Sequence, residues 1–251
     1  MEPVLFYGVP SGCSFGSIVA LEWLGMPYRL SRIEMIKDDF MSGSYRFINP
    51  VGETPALITS GGAVLTESMA ILNHLGAGGI ETGLAFAQGT PEFDGLNRML
   101  AYLNTSFFTS FGPLWYVYEH GGEAAAKAAL TDYGRFKVRK AHADLEVMLG
   151  DRRWLLGDHK TLADAYFIGI SRWADYHDVI DRADYPNLVR LSRQLEDDPA
   201  VAFAHAIEEE KPARSAGGYL GNIDVADALT LVRQDASRIP DRNGRSLMGA
   251  S

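Results

Sequence analysis

The residues best placed to do chemistry sit where a short apolar stretch gives way to a helical one. Pro10-Ser11-Gly12-Cys13-Ser14 brings the chain's only cysteine and two hydroxyls to that junction. Backbone N–H groups at a helix start lack intrahelical partners and aim the positive end of the helix dipole outward. A thiol held there is expected to be stabilised as the anion, with its pKa lowered. The competing explanation is packing: Cys13 as a small buried filler and both serines as helix caps. Thr54-Pro55 precedes a strand-like run. A cis bond at this position would expose the Thr54 N–H and C=O to an extended peptide, whereas the commoner trans form would simply start the strand. Glu67-Ser68 opens a later helix. Ser68 can donate to a carboxylate and Glu67 can pair an ammonium, which suits an amino-acid head group; the same pair also serves as an ordinary helix start.

The elements that must hold these groups follow from periodicity. Val4 to Tyr7 reads as a strand, Ser17 to Leu24 as a helix stopped by Gly25, and Tyr28 to Met35 as a second strand. Ala56 to Thr59 and Ala63 to Thr66 read as a hairpin around Ser60-Gly61-Gly62, and Glu67 to Leu75 as a helix. The order is βαβ, then ββα. Residues 1–78 form one expected domain and 79–92 a linker. Residues 93–210 form an all-helical domain with helices over 93–119, 123–149, 161–177, 186–196 and 199–210. Helix 161–177 is apolar almost all round, which places it at a domain centre. Its start, Thr161-Leu162-Ala163-Asp164, has the form of a capping box. Residues 211–251 read as a glycine-rich, partly ordered extension, helical only over 224–234.

Composition narrows the partners. Of 251 residues, 47% are hydrophobic and 22% charged, as in an ordinary globular chain. The net charge of −9 argues against nucleic-acid binding. One cysteine permits no intramolecular disulfide, so a reducing, cytoplasmic location is the simplest reading. The start, MEPVLFYG, carries no basic region of an export signal, and no apolar run is long enough to span a membrane. The six histidines show no paired ligand spacing, so no metal is expected.

YGVPSGCSFGSIVALEWLG, NPVGETPAL, LTESMAILNHL and TLADAYFIGISRW, in this order and spacing, resemble the cytosolic glutathione transferases, and among them the bacterial beta class. The resemblance spans roughly residues 4–208. It implies an α/β thioredoxin-like N-terminal domain that binds glutathione as cosubstrate, followed by an all-α domain shaping the pocket of a small electrophile, in a homodimer. It implies that Thr54, ahead of a cis Pro55, pairs with the cysteinyl backbone of glutathione. Glu67 and Ser68 would hold its γ-glutamyl end, and Lys37, or else Arg46, its glycine carboxylate. The beta-class cysteine matches Cys13, although Gly16-Ser17 replaces the beta-class Pro-His and Phe108 stands where that class has a histidine. Ser11 and Ser14 therefore stay beside Cys13 as candidates to face the glutathione sulfur. Asn104, Phe108, Phe111 and Trp115 share one helix face, with a kink expected at Gly112-Pro113. Asn104 is a candidate to reach glutathione from the partner subunit; Phe15, Phe108, Phe111, Trp115 and Trp173 are candidate pocket walls.

Two other functions compete. A non-catalytic binding or dimerisation module of the same fold would not need Thr54-Pro55 and Glu67-Ser68. Gly12-Cys13-Ser14-Phe15-Gly16 also satisfies G-x-S-x-G, the nucleophile elbow of serine hydrolases. Its acid and base would have to come from residues such as Asp175 and His205, in a region without a sheet.

Overall fold

The computed structural model describes residues 1–35 and 44–232. Strand β1 (Val4–Val9) is buried along its whole length, as a central strand should be. It pairs in parallel with β2 (Pro27–Glu34) and antiparallel with β3 (Ala56–Ile58), which pairs antiparallel with β4 (Val64–Thr66). A parallel β1–β2 pair requires a crossover, and α1 (Phe15–Leu24) supplies it. Gly25 closes α1 at φ +66°, with its N–H donating to the Leu21 carbonyl, the left-handed stop its position foretold. Helix α2 (Ser68–Gly76) follows β4.

The helical half holds α3 (Pro91–Tyr102), a π-helical turn over Leu103–Phe108, α4 (Gly112–His120), α5 (Ala124–Leu149), α6 (Leu162–Ser171), α7 (Trp173–His177), α8 (Pro186–Glu196) and α9 (Pro199–Glu208). The expected single helix over 93–119 is thus three pieces. The π turn inserts extra residues, and Pro113, near the start of α4, cannot continue the ladder of a preceding helix. The expected helix over 161–177 breaks at Arg172. Its capping box forms: the Thr161 N–H donates to the Asp164 carboxylate at 2.8 Å.

The extension departs most from expectation. Beyond α9 the chain returns to the sheet and adds a fifth strand, β5 (Gly218–Asn222), parallel to β2, giving the order β4-β3-β1-β2-β5. Helix α10 (Val225–Leu229) follows, within the expected 224–234; residues 233 and 234 lie outside the described residues. Glu22 on α1 anchors the return. Its carboxylate accepts from the Ser215 hydroxyl at 2.7 Å, the Ala216 N–H at 3.0 Å, the Gly217 N–H at 2.9 Å and the Tyr28 hydroxyl.

Alternation along β1 divides the interior. Leu5, Tyr7 and Val9 face α1, α2 and the helical half, whereas Val4 and Phe6 face a smaller cluster with Ile33, Tyr45, Ile48, Ala56, Ile58 and Ala228 of α10. The extension therefore covers a sheet face as well as a sheet edge. Helices α1 and α6 cross where Gly16 meets Gly169; a Cβ on Gly16 would lie 2.5 Å from the Ala165 carbonyl oxygen. This approach brings the Cys13 turn against α6.

Candidate functional site

The turn between β1 and α1, the loop before β3 and the start of α2 converge on the Cys13 sulfur. The cysteine S–H donates to the Thr54 carbonyl at 3.2 Å. The Ser68 hydroxyl donates to Cys13 Sγ at 3.6 Å. Thr54-Pro55 is cis, the form that exposes the Thr54 backbone, and Val9-Pro10, not anticipated, is cis as well. Glu67 stands at φ +70° just before α2, and Ser11 at φ +53° in the Cys13 turn. Both are non-glycine residues in a sparsely populated region, and such strain concentrates at binding sites.

The electrostatics reverse one expectation. Burial pushes the Cys13 thiol up to about 11; the Ser68 hydrogen bond and Arg172 pull the other way, and Glu53 adds to the rise. Cys13 is therefore a neutral thiol at neutral pH. Desolvation is the largest influence, and it outweighs the Ser68 hydrogen bond and the backbone contact at the turn. Cys13 can offer a proton to a neighbouring anion; it is not itself a ready nucleophile.

Two serines separate by environment. Ser14 is fully buried, and its hydroxyl oxygen accepts the Gly8 N–H at 3.1 Å, which ties the turn to β1. That role is structural, against its candidacy for the sulfur-facing group. It also argues against the hydrolase reading: among the described residues the Ser14 hydroxyl has no histidine partner, and Asp175 pairs with Arg182 rather than with His205. Ser11 is half-buried, and its hydroxyl makes no hydrogen bond among the described residues; its carbonyl accepts the Trp173 indole N–H at 2.8 Å.

The helical half holds the turn in place through residues the sequence reading passed over. Arg172 donates to the Gly12 carbonyl at 2.9 Å, stands 4.1 Å above the Phe15 ring and forms a two-pronged ion pair with Glu208 at 2.5 and 2.8 Å. Tyr166 on α6 donates to Asn104 Oδ1 at 2.7 Å, and Ser68 lies beside its oxygen. Burial, reinforced by nearby Cys13, holds the phenol proton in place. A signal for both was present: a phenol and a guanidinium in an otherwise apolar helix each require a partner.

The other candidates fall as follows. Asn104 is engaged within its own chain through Tyr166. Arg46 donates to the Pro50 carbonyl at 3.0 Å, and Lys37 lies outside the described residues. Phe108, Trp115 and Trp173 form an aromatic group, with ring centroids 5.2 Å (Phe108–Trp173) and 5.3 Å (Trp115–Trp173) apart. Phe15 and Phe111 are fully buried: Phe15 lies under Arg172 with its edge to His205, and Phe111 against Trp173 and His142. Both are core residues rather than pocket walls, since neither side chain is exposed. Among the described residues, no helix is long and apolar enough to cross a membrane.

A thioredoxin-like sheet with a cis-proline loop, followed by a helical domain that packs on it, defines a glutathione-binding class of fold, and the comparisons agree. Residues 10–77 match the glutathione S-transferase N-terminal domain family and 99–199 the glutathione S-transferase C-terminal domain family. Glutathione S-transferase GST-4.5 of Xanthomonas campestris pv. campestris is 31% identical over 169 residues, covering 67% of this chain and 81% of its own. A sphingomonad glutathione S-transferase solved in complex with glutathione is 29% identical, with a TM-score of 0.72, covering 82% of this chain and 98% of that one. A bacterial beta-class glutathione S-transferase of Sphingomonas chungbukensis is 27% identical, with a TM-score of 0.72 and the same coverage. The chain belongs to the glutathione S-transferase family, and its activity is that of a glutathione-using transferase.

Proposed function

We propose that the site ionises the thiol of bound glutathione and directs the thiolate at a small electrophile. The observation that carries this reading is the convergence of Cys13 Sγ, the Thr54 carbonyl and the Ser68 hydroxyl within 3.6 Å. The Thr54 backbone receives the cysteinyl unit, and Glu67 with Ser68 receives the γ-glutamyl end. Cys13, with Ser11 the next candidate, offers its proton to the glutathione sulfur. Since Cys13 keeps that proton, the glutathione proton leaves to water. A free thiol near pKa 8.5 is only a few per cent ionised at pH 7. A pKa lowered by about 2 makes most of it thiolate and corresponds to about 2.7 kcal/mol of preference for the anion. Phe108 and Trp115 are partly buried and pack on Trp173, whose indole is tied to the Ser11 carbonyl of the Cys13 turn; they offer aromatic surface on that side of the site, which favours an apolar or aromatic electrophile.

Lys37 remains the proposed partner of the glycine carboxylate. The chain works as a cytoplasmic homodimer in the detoxification of electrophiles, with domains at 1–78 and 93–210 joined by 79–92; support for these points is the family and the reduced single cysteine. Retention on immobilised glutathione together with turnover of a generic aryl halide tests the reading. Retention without turnover would favour a binding module, and no retention would refute the glutathione site.

A further inference from the structure

Pro55 has no N–H, and Thr54 stands just outside the first ladder pair of β3, so the sheet makes no use of the Thr54 backbone. Among the described residues the Thr54 N–H has no acceptor, and its carbonyl has one partner, the Cys13 S–H. One lone pair of an acceptor that should welcome a peptide is thus taken by a side chain of the same site, whose sulfur crowds the oxygen at 3.2 Å. We propose that the Cys13 thiol is a displaceable occupant of the Thr54 carbonyl: an incoming peptide N–H takes that carbonyl, and the released S–H turns to the sulfur of the bound tripeptide. This rests on the reading of the Thr54 loop as the cysteinyl-binding edge.

The exchange runs downhill, because S–H is a weak donor and a peptide N–H a strong one. It needs no proton transfer from Cys13 and no bond made or broken at its sulfur. The weak 3.6 Å contact from Ser68 leaves the sulfur free to turn. One residue then has two effects of opposite sign. It competes with binding while it holds the carbonyl, and it favours ionisation once released.

The single cysteine makes this testable, since the S–H infrared stretch of the protein has one source. S-methylglutathione carries the peptide N–H but no S–H of its own. On saturating the protein with it, with binding followed by calorimetry, the band should move to higher frequency as the carbonyl contact is lost. A band unmoved at saturation would overturn the exchange. Cys13→Ala should bind S-methylglutathione about threefold more tightly, while glutathione in its complex ionises about tenfold less readily. Cys13→Ser, whose hydroxyl is the stronger donor to Thr54, should bind S-methylglutathione less tightly than Cys13→Ala. Equal or weaker binding by Cys13→Ala would also overturn the proposal. Absence of any binding by the unaltered protein would refute the Thr54 loop reading itself, a result distinct from a bound complex with an unmoved band.

Discussion

Replacing Arg172 with Met should separate the stability of the fold from the geometry of the site. Arg172 and Glu208 have side chains only 15% and 9% exposed, and their two contacts at 2.5 and 2.8 Å form a bidentate pair. Removing the guanidinium leaves the Glu208 carboxylate buried without its counter-ion, a change that typically costs about 3–5 kcal/mol. It also takes the donor from the Gly12 carbonyl in the Cys13 turn. Adding Glu208→Leu removes the orphaned charge, and apolar replacement of both partners is often close to neutral. Urea denaturation should therefore show a large loss in Arg172→Met, at unchanged slope, and recovery of most of it in the double variant. The KM for glutathione should rise in the single variant and stay raised in the double one, because Gly12 remains without its donor. A single substitution costing less than about 1 kcal/mol, or a double variant no more stable than the single, would refute the argument that this pair is held by burial.

Other perturbations read other parts of the fold. Glu22→Gln puts an amide where four donors converge, so it should cost about 2–4 kcal/mol and speed amide hydrogen exchange in β2 and β5; unchanged exchange would sink the anchoring role of Glu22. His142 is buried with Nδ1 on the Val138 carbonyl, and burial lowers its pKa to about 4 from 6.5. The unfolded chain therefore binds the extra proton first. Stability from this group is complete above pH 6.5 and is lost as pH falls towards 4, at about 1.4 kcal/mol per pH unit. Denaturant midpoints of wild type and His142→Phe across that range should draw together by this slope, and parallel curves would contradict it.

Much of the fold was legible because several elements carried their own punctuation. Gly25 marks the end of α1, Ser60-Gly61-Gly62 the hairpin, and Thr161 with Asp164 the cap of α6. Strand β5 was not, since Gly-Tyr-Leu-Gly-Asn has two glycines in five residues and no strand propensity of its own. The open edge of β2 and the Glu22 carboxylate make it a strand, and both are distant in sequence. The motifs brought Cys13, Thr54 and Ser68 to one place, as the structure does, but the sign of the Cys13 pKa was not legible. A local argument from the helix start saw the dipole and missed the desolvation, which comes from burial of the thiol in the folded chain. Phe15 was misjudged for the same reason: its neighbours Arg172 and His205 lie more than 150 residues away.

The central claim is that this site makes glutathione an anion at neutral pH. Ultraviolet titration of the glutathione complex measures it directly, and Cys13, which titrates near 11, leaves the lower range clear. The bound thiol should be half-ionised near pH 6.5, about 2 below its free value. A bound thiol that ionises no lower than free glutathione would contradict the account.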